Sequence, residues 1–167
     1  MTYSERLNDI AIVKLDTTGF SDMDLKKKKL VYHLSEAGMW GKVISLHQAS
    51  DYNIRLLDNL IFLFEEVNHE EKVWEQLRDT LFTFFAHGGV YHTTTGERLD
   101  FPIQLEELRK IKDTIETFTA AKAVEEILFS KDLMPHYRTV QKDGVDVVKE
   151  SGANCYVGLT TDEVKQF

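Results

Sequence analysis

Histidines beside acidic residues are the side chains of this sequence with the plainest potential for metal chemistry. The segment His69-Glu70-Glu71-Lys72-Val73 begins like the His-Glu-x-x-His helix of zinc peptidases. In that helix, two imidazoles one helical turn apart face the same metal ion. Val73 stands where the second histidine is needed, so we predict no zinc site here and expect His69 at the protein surface.

A second pair of histidines brackets two adjacent glycines. His87 and His92 are five positions apart, which matches no familiar pair of metal ligands on a helix. A loop pair without metal is favoured over a metal site. Gly88 and Gly89 could present backbone N–H groups to an anion, as glycine-rich loops do. Because no strand-loop-helix phosphate motif surrounds them, they more simply predict the end of a helix.

The one cysteine, Cys155, follows a polar stretch and has no recognisable catalytic partner. A nucleophilic thiol needs a base and donors for the developing oxyanion. Neither can be assigned, so a structural or merely tolerated thiol is favoured. The sequence also contains no recognisable Ser/His/Asp order, carboxylate pair or nucleotide fingerprint. These residues alone favour a helical interaction domain, and we predict no catalytic residue and no metal ligand within the chain.

Composition sets the class of protein in which these residues stand. The 167 residues carry a net charge of −8 and are 43% hydrophobic, which suits one domain with a buried core. The acidic balance argues against nucleic-acid binding, which depends on lysine and arginine at phosphates. No apolar run approaches the roughly 18 residues of a membrane span, and no secretory signal is recognisable. A single cysteine suits a reducing compartment, so we expect a cytoplasmic protein without membrane or nucleic-acid partners.

Scarce proline and long amphipathic stretches predict a mainly α fold (α+β) with a few short strands. A first helix is expected from a cap at Ser21 or Asp22 to about Leu46. Its predicted apolar stripe is Leu30, Leu34, Ala37, Gly41 and Ile44. Further helices are predicted at 53–67, from a capping box at 68–71 to the glycine pair, at 104–111 and at 115–129.

Shorter elements are expected between and after these helices. Residues 93–97 predict a turn between β-capable residues, and hence a short hairpin within 90–102. Valines at 140, 145, 147 and 148 suggest a strand around a turn at 143–144. Thr160 and Glu163 have the spacing of a capping box. That box opens either a short docked helix or an element that continues in a longer protein.

Three segments, in order along the chain, carry a family resemblance. The first is Leu-Lys-Lys-Lys-Lys-Leu-Val-Tyr-His-Leu-Ser-Glu-Ala at 25–37, with Gly41, Ile44, Gln48 and Asn53 after it. The second is Phe-Phe-Ala-His-Gly-Gly-Val-Tyr-His at 84–92, with Phe-Pro at 101–102. The third is Ser-Gly-Ala-Asn-Cys-Tyr-Val-Gly-Leu-Thr at 151–160. Together they resemble the N-terminal part of the dipeptidyl peptidase III family, although Ala86-His87 stands where that family has Ser-Asn.

The resemblance implies that residues 1–167 are a single unit, the helical N-terminal part of the lower lobe of a longer two-lobed zinc exopeptidase. Such enzymes remove dipeptides from peptide N-termini. Their zinc motif, His-Glu-x-x-x-Gly-His, does not occur in this sequence. The resemblance therefore implies zinc in the intact protein, held by a missing C-terminal lobe, and no cofactor in this segment.

The same resemblance implies which residues contact a peptide substrate. In the family, the loop after the third helix lies at the rim of the substrate groove. On that basis Tyr91, His92, Thr93 and Thr94 are the candidate substrate-binding residues, and the segment alone is expected to be inactive as a peptidase. The alternative is a free-standing α-helical interaction module that binds a partner protein through apolar helix faces.

Overall fold

The computed structural model describes residues 2–7, 10–153 and 155–167, and these confirm the mainly α class. The chain divides into two compact units, residues 1–45 and 46–167. That residues 1–167 are the N-terminal fragment of a two-lobed protein stays a prediction. The described elements, in chain order, are β1 (Thr2–Leu7), β2 (Ile10–Lys14), α1 (Thr18–Ser21), α2 (Leu25–Ala49), α3 (Asn53–Glu66), α4 (Lys72–His87), α5 (Leu105–Leu108), α6 (Ile115–Phe129), α7 (Val147–Glu150) and α8 (Thr161–Lys165).

The first unit opens with a β-hairpin that the sequence patterns did not predict. Strands β1 and β2 pair antiparallel, with Arg6 opposite Ala11, and the register shifts between Tyr3 and Glu5. The second strand reads Ile-Ala-Ile-Val, a continuous apolar run without the alternation that identifies a half-exposed strand. Because this alternation is missing, the sequence pattern does not predict the pair of strands.

Helix α2 begins later than predicted and has a different cap. The carboxylate of Asp24 accepts a hydrogen bond from the Lys27 N–H at 2.9 Å, an N-cap contact that satisfies one of the free donors of the first turn. Ser21 instead ends α1, and Asp22 follows it. The predicted cap at Ser21 or Asp22 was therefore wrong, because a short separate helix occupies that part of the chain.

The predicted apolar stripe of α2 is exposed rather than buried. Leu30 and Leu34 are 58% and 63% exposed, and Trp40, on another side of the helix, is 76% exposed. Only the last turn has buried side chains, Leu46 and Ala49. The predicted helix is confirmed, and its apolar stripe is exposed among the described residues.

The core of the second unit is built where α3 packs against α6 and α4. Leu56, Leu60 and Leu63 of α3 are fully buried, and each contributes roughly 1.5–3 kcal/mol relative to an exposed position. The spacing of apolar residues predicts a face made of Leu57, Leu60, Ile61, Phe64 and Val67. Leu60 and Val67 are buried as predicted, whereas the other three are not, so the buried face is rotated by about one position from the prediction.

Three further local predictions have different outcomes. Asn68 does not cap α4, because its side chain accepts from the Glu70 N–H at 3.1 Å in a turn that precedes the helix. The strand expected near Val147 is a single helical turn, α7, capped by Asp146. The capping box at Thr160 and Glu163 is confirmed, with both reciprocal hydrogen bonds present. No helix among the described residues is long and apolar enough to cross a membrane.

Candidate functional site

The loop after α4 starts at a glycine pair that lies against a buried asparagine. Gly88 has the left-handed conformation (φ 69°) that ends a helix, so the predicted helix end is confirmed. Gly89 also has a positive φ, 134°, and a Cβ there would overlap the side chain of Asn53. The Asn53 amide donates to the Leu46 carbonyl at 2.9 Å and accepts from the Val90 N–H at 3.0 Å. This buried side chain therefore fixes where the loop departs.

The predicted turn at 93–97 is confirmed, and its flanks pair more briefly than a hairpin would. A single antiparallel bridge joins Tyr91 to Arg98. The His92 N–H donates to the Glu97 carbonyl at 2.8 Å, which closes the turn. The loop is therefore held by its own backbone hydrogen bonds, and the regular strands expected within 90–102 are absent among these described residues.

Tyr91 is a buried anchor of the loop. Its side chain is 3% exposed, and its hydroxyl donates to the Pro135 carbonyl at 2.9 Å. A Cβ at Gly152 would overlap that hydroxyl, so the two segments approach as closely as glycine allows. Burial raises the pKa of Tyr91 to about 12, against a smaller lowering effect of Arg98. Tyr91 is therefore a neutral donor that ties the loop to later segments and offers little surface to a ligand.

Arg98 connects the same loop to the end of helix α6. Its guanidinium donates to the carbonyls of Ile127, Leu128 and Ser130 at 2.8, 3.0 and 2.8 Å. A cation there also suits the negative end of the helix dipole. Sequence reasoning missed this contact, because a single arginine in a loop has no pattern that identifies its partners.

His92 organises the tip of the loop through its ring. Its Nδ1 accepts from the N–H groups of Thr94 and Thr95 at 3.3 and 3.1 Å. An imidazole nitrogen that accepts carries no proton, so these bonds assign the proton of the neutral ring to Nε2. The His87 ring lies against it, with centroids 4.6 Å apart, and the Thr93 N–H points to the His87 Nδ1 at 3.4 Å.

Two later segments are added to the loop by backbone hydrogen bonds. The Arg138 N–H donates to the Gly96 carbonyl at 2.7 Å. On the other side of that segment, Gly152 and Ala153 donate to the carbonyls of Tyr137 and Arg138, each at 3.0 Å. Residues far apart in sequence thus form one small layer of paired backbone.

A groove of about 750 Å³ lies beside this layer. His92, Thr93 and Thr94, three of the four predicted peptide-contacting residues, line it together with residues 137–142. Tyr91, the fourth, lies beneath the loop and is not part of the lining. Sequence reasoning missed the opposite wall, where Arg138 and Lys142 stand, because no local motif links 137–142 to the loop.

Metal-binding groups were sought across the described ranges, and none of them contains three or more His, Cys, Asp or Glu side chains placed to hold an ion. The described residues therefore offer no set of ligands for the zinc that the resemblance implies in an intact protein. No zinc-dependent step is assigned to these residues. His69 is exposed, as predicted, with its ring 6.5 Å from that of Trp74. Cys155 is exposed, and Asn154 beside it lies outside the described residues.

No protein-family model matches the sequence, and a search of curated proteins finds no match either. Function is therefore inferred from the residues and the geometry of the chain itself.

Proposed function

We propose that this chain is a non-catalytic, peptide-binding part of a dipeptidyl peptidase III-like protein, contributing scaffold and one wall of the substrate groove. The observation that supports the proposal is the groove beside the loop after α4. Three residues that the resemblance points to, His92, Thr93 and Thr94, line that groove side by side. Their position in the lining of a groove depends on the fold, whereas their proximity to one another follows from their adjacency in sequence.

The wall offers the kinds of group that bind an extended peptide. Threonine hydroxyls can donate to a peptide carbonyl and accept from a peptide N–H. Thr93 and Thr94 are exposed, and their backbone N–H groups point to the Nδ1 atoms of His87 and His92, respectively. A fixed loop at the edge of a paired backbone layer can bind a peptide without any catalytic residue in the groove wall. The resemblance assigns the chemistry to a zinc site in other parts of the protein.

Peptide titration of the isotopically labelled chain tests the proposal directly. We expect the amide resonances of His92, Thr93 and Thr94 to shift on addition of a neutral hexapeptide, with saturable dependence on its concentration. Replacing Thr93 and Thr94 by alanine should weaken binding, while Thr119→Ala, an exposed threonine on α6, should leave it unchanged. Shifts confined to other surfaces would contradict the proposal.

The predicted lack of activity needs its own assay. The 167-residue chain with added zinc should release no dipeptide from the same peptide, because the described residues offer no metal-binding group. Clear dipeptide release would contradict the assignment of the chemistry to another part of the protein.

The second candidate function is a helical interaction module, and the exposed apolar side chains of α2 favour it. Leu30, Leu34 and Trp40 are each more than half exposed, and apolar surface of this kind marks interaction sites when it is contiguous. Reading the coding sequence beyond Phe167 separates the two candidates. A frame that continues into His-Glu-x-x-x-Gly-His supports the peptidase, whereas a stop codon after Phe167 supports the module.

A further inference from the structure

The groove beside the loop differs in charge from the rest of the chain. The protein as a whole carries a net charge of −8. The groove lining contains two permanent cations, Arg138 and Lys142, and no aspartate or glutamate. Two acids lie next in sequence to lining residues without joining the lining. Glu97 follows Gly96, and its carboxylate accepts from the Tyr137 hydroxyl at 3.3 Å, while Asp143 follows Lys142.

The two groove cations lack the partners that other cations of this unit have. Arg55 pairs with Glu126 at 2.8 Å, and Arg109 pairs with Glu125 at 2.5 Å. Among the described residues, no carboxylate lies within ion-pair distance of Arg138 or Lys142, both of which are exposed. Their charges are therefore available to a ligand.

Arg138 is also held in position. Its N–H donates to the Gly96 carbonyl at 2.7 Å, and its carbonyl accepts from the Ala153 N–H at 3.0 Å. These two backbone hydrogen bonds fix where Arg138 stands in the groove lining. A guanidinium can bind a carboxylate with two parallel hydrogen bonds, and Lys142, four residues further on, adds a second positive charge to the same lining.

We propose that this groove prefers acidic peptides, whose carboxylates bind Arg138 and Lys142 while the peptide backbone meets Thr93 and Thr94. The inference rests on the proposed peptide-binding function and adds the class of peptide. A peptide is favoured over a nucleic acid because the strong net negative charge of the chain repels a long polyanion. Two cations suffice for one or two carboxylates, and the threonine hydroxyls suit amide groups rather than a run of phosphates.

The test compares peptides that differ only in charge. A fluorescent hexapeptide with two glutamates and its counterpart with two glutamines are titrated against the full 167-residue chain, with anisotropy as the readout. We expect the acidic peptide to bind more tightly. The replacements Arg138→Gln and Lys142→Gln should each weaken its binding about fivefold, the effect of one exposed ion pair, and leave the glutamine peptide unchanged. The preference should shrink as salt rises, because exposed charges are screened.

Matched variants separate this effect from loss of structure. Arg138→Lys retains the charge and should retain most of the preference, while Lys112→Gln removes an exposed cation outside this groove and should change nothing. Far-ultraviolet circular dichroism of each variant confirms that the fold is intact. If an exposed side chain proves necessary for folding, phosphorylated versions of the same peptide, which carry more negative charge, give the same comparison on the unaltered protein.

Each outcome bears on the inference. Equal binding of the two peptides at His92–Thr94, with no effect of Arg138→Gln, overturns the acidic preference and leaves the peptide-binding proposal standing. Failure of both peptides to bind overturns both. Binding of a single-stranded oligonucleotide that depends on Arg138 and Lys142, in preference to the acidic peptide, overturns the choice of ligand.

Discussion

Helix α2 and the layer around Tyr91 differ in how far their side chains are buried and hydrogen-bonded. In α2, Leu30, Leu34 and Trp40 remain exposed to solvent. Around Tyr91, the buried hydroxyl has a carbonyl partner and Arg98 binds three carbonyls. The apolar side chains of α2 face solvent, whereas Tyr91 and Arg98 have hydrogen-bond partners within the second unit.

This difference predicts which substitutions should change the free energy of unfolding. Removing a buried side chain lowers the free energy of unfolding, because contacts are lost and a cavity remains. Removing an exposed side chain changes it little. If α2 is exposed in solution as described, its apolar residues should behave as surface residues. If they are covered by another chain, they should behave as core residues.

The largest expected effect comes from a matched pair of leucines. Leu60→Ala in the core of the second unit should lower the free energy of unfolding by about 2–5 kcal/mol, since Leu60 is fully buried. Leu34→Ala on α2 should change it by about 0.5 kcal/mol or less. Urea denaturation followed by circular dichroism measures both. A large loss for Leu34→Ala would indicate that α2 is covered in solution, and light scattering would then show whether a second copy covers it.

The next effect concerns two asparagines that both bond a carbonyl. Asn53→Ala removes the side chain between Leu46 and Val90 and leaves the buried Val90 N–H without its acceptor, at a cost of about 1–3 kcal/mol, while the Leu46 carbonyl still accepts from the Ser50 N–H at 3.2 Å. Asn59→Ala is the control, since Asn59 donates to the Arg55 carbonyl at an exposed position and should cost far less. The same denaturation series compares them. Equal costs would mean that burial at Asn53 is not what makes its hydrogen bonds important.

A smaller effect, of opposite sign, is expected at a glycine of α2. Gly38 lies inside the helix, and a Cβ there would meet nothing within 4 Å. Gly38→Ala should therefore stabilise the helix by about 0.5–1 kcal/mol. Thermal melting followed at the helical circular dichroism band measures the gain. A destabilised variant would indicate that another surface approaches α2 closely at this point.

The smallest effect is the pH dependence of the link between α7 and α8. The Thr161 hydroxyl donates to the Asp146 carboxylate at 2.7 Å, and this hydrogen bond lowers the pKa of Asp146. Because that pKa is lower in the folded state, its stabilising effect is present above the ordinary aspartate pKa of about 4 and is lost as pH falls through the folded value. The protection factors of the α8 amides, which are corrected for the pH dependence of intrinsic exchange, should therefore fall in acid.

Two variants decide whether Asp146 is responsible. Asp146→Asn should make α8 exchange rapidly already at neutral pH and should reduce the further change in acid. Asp162→Asn, at a neighbouring acid within α8, is the control and should preserve the link. If Asp146→Asn leaves exchange unchanged at both pH values, the Asp146–Thr161 contact does not hold the two helices together.

Several features of the fold were predictable from local sequence. Gly88 and Gly89 mark the end of α4, and Thr160 with Glu163 marks the start of α8, because these signals act within one turn of the chain. The threonine-rich turn at 93–97 was predictable for the same reason. The face of α3 was misplaced by about one position, since Leu57 and Leu56 are equally apolar and only the packing of α6 selects between them.

The candidate site was predictable on one side only. His92, Thr93 and Thr94 are consecutive, so a single segment of sequence indicates them. Arg138 and Lys142 lie more than forty positions away, and backbone contacts between residues 136–138 and 96–98, among them the hydrogen bond from Arg138 to Gly96, bring their segment to the groove. The burial of Tyr91 could not be predicted from the sequence either, because tyrosine occurs both at surfaces and in interiors.

The sequence by itself determined the helical class, the net negative charge, the end of α4 and the capping box of α8, since these follow from composition or from neighbouring residues and their backbone preferences. Tertiary structure alone decided that Asn53, Tyr91 and Arg98 hold the loop and that two cations line the same groove as three loop residues. The physical reason is that burial and pairing depend on which distant segments meet, and that information is shared among residues that no local pattern connects.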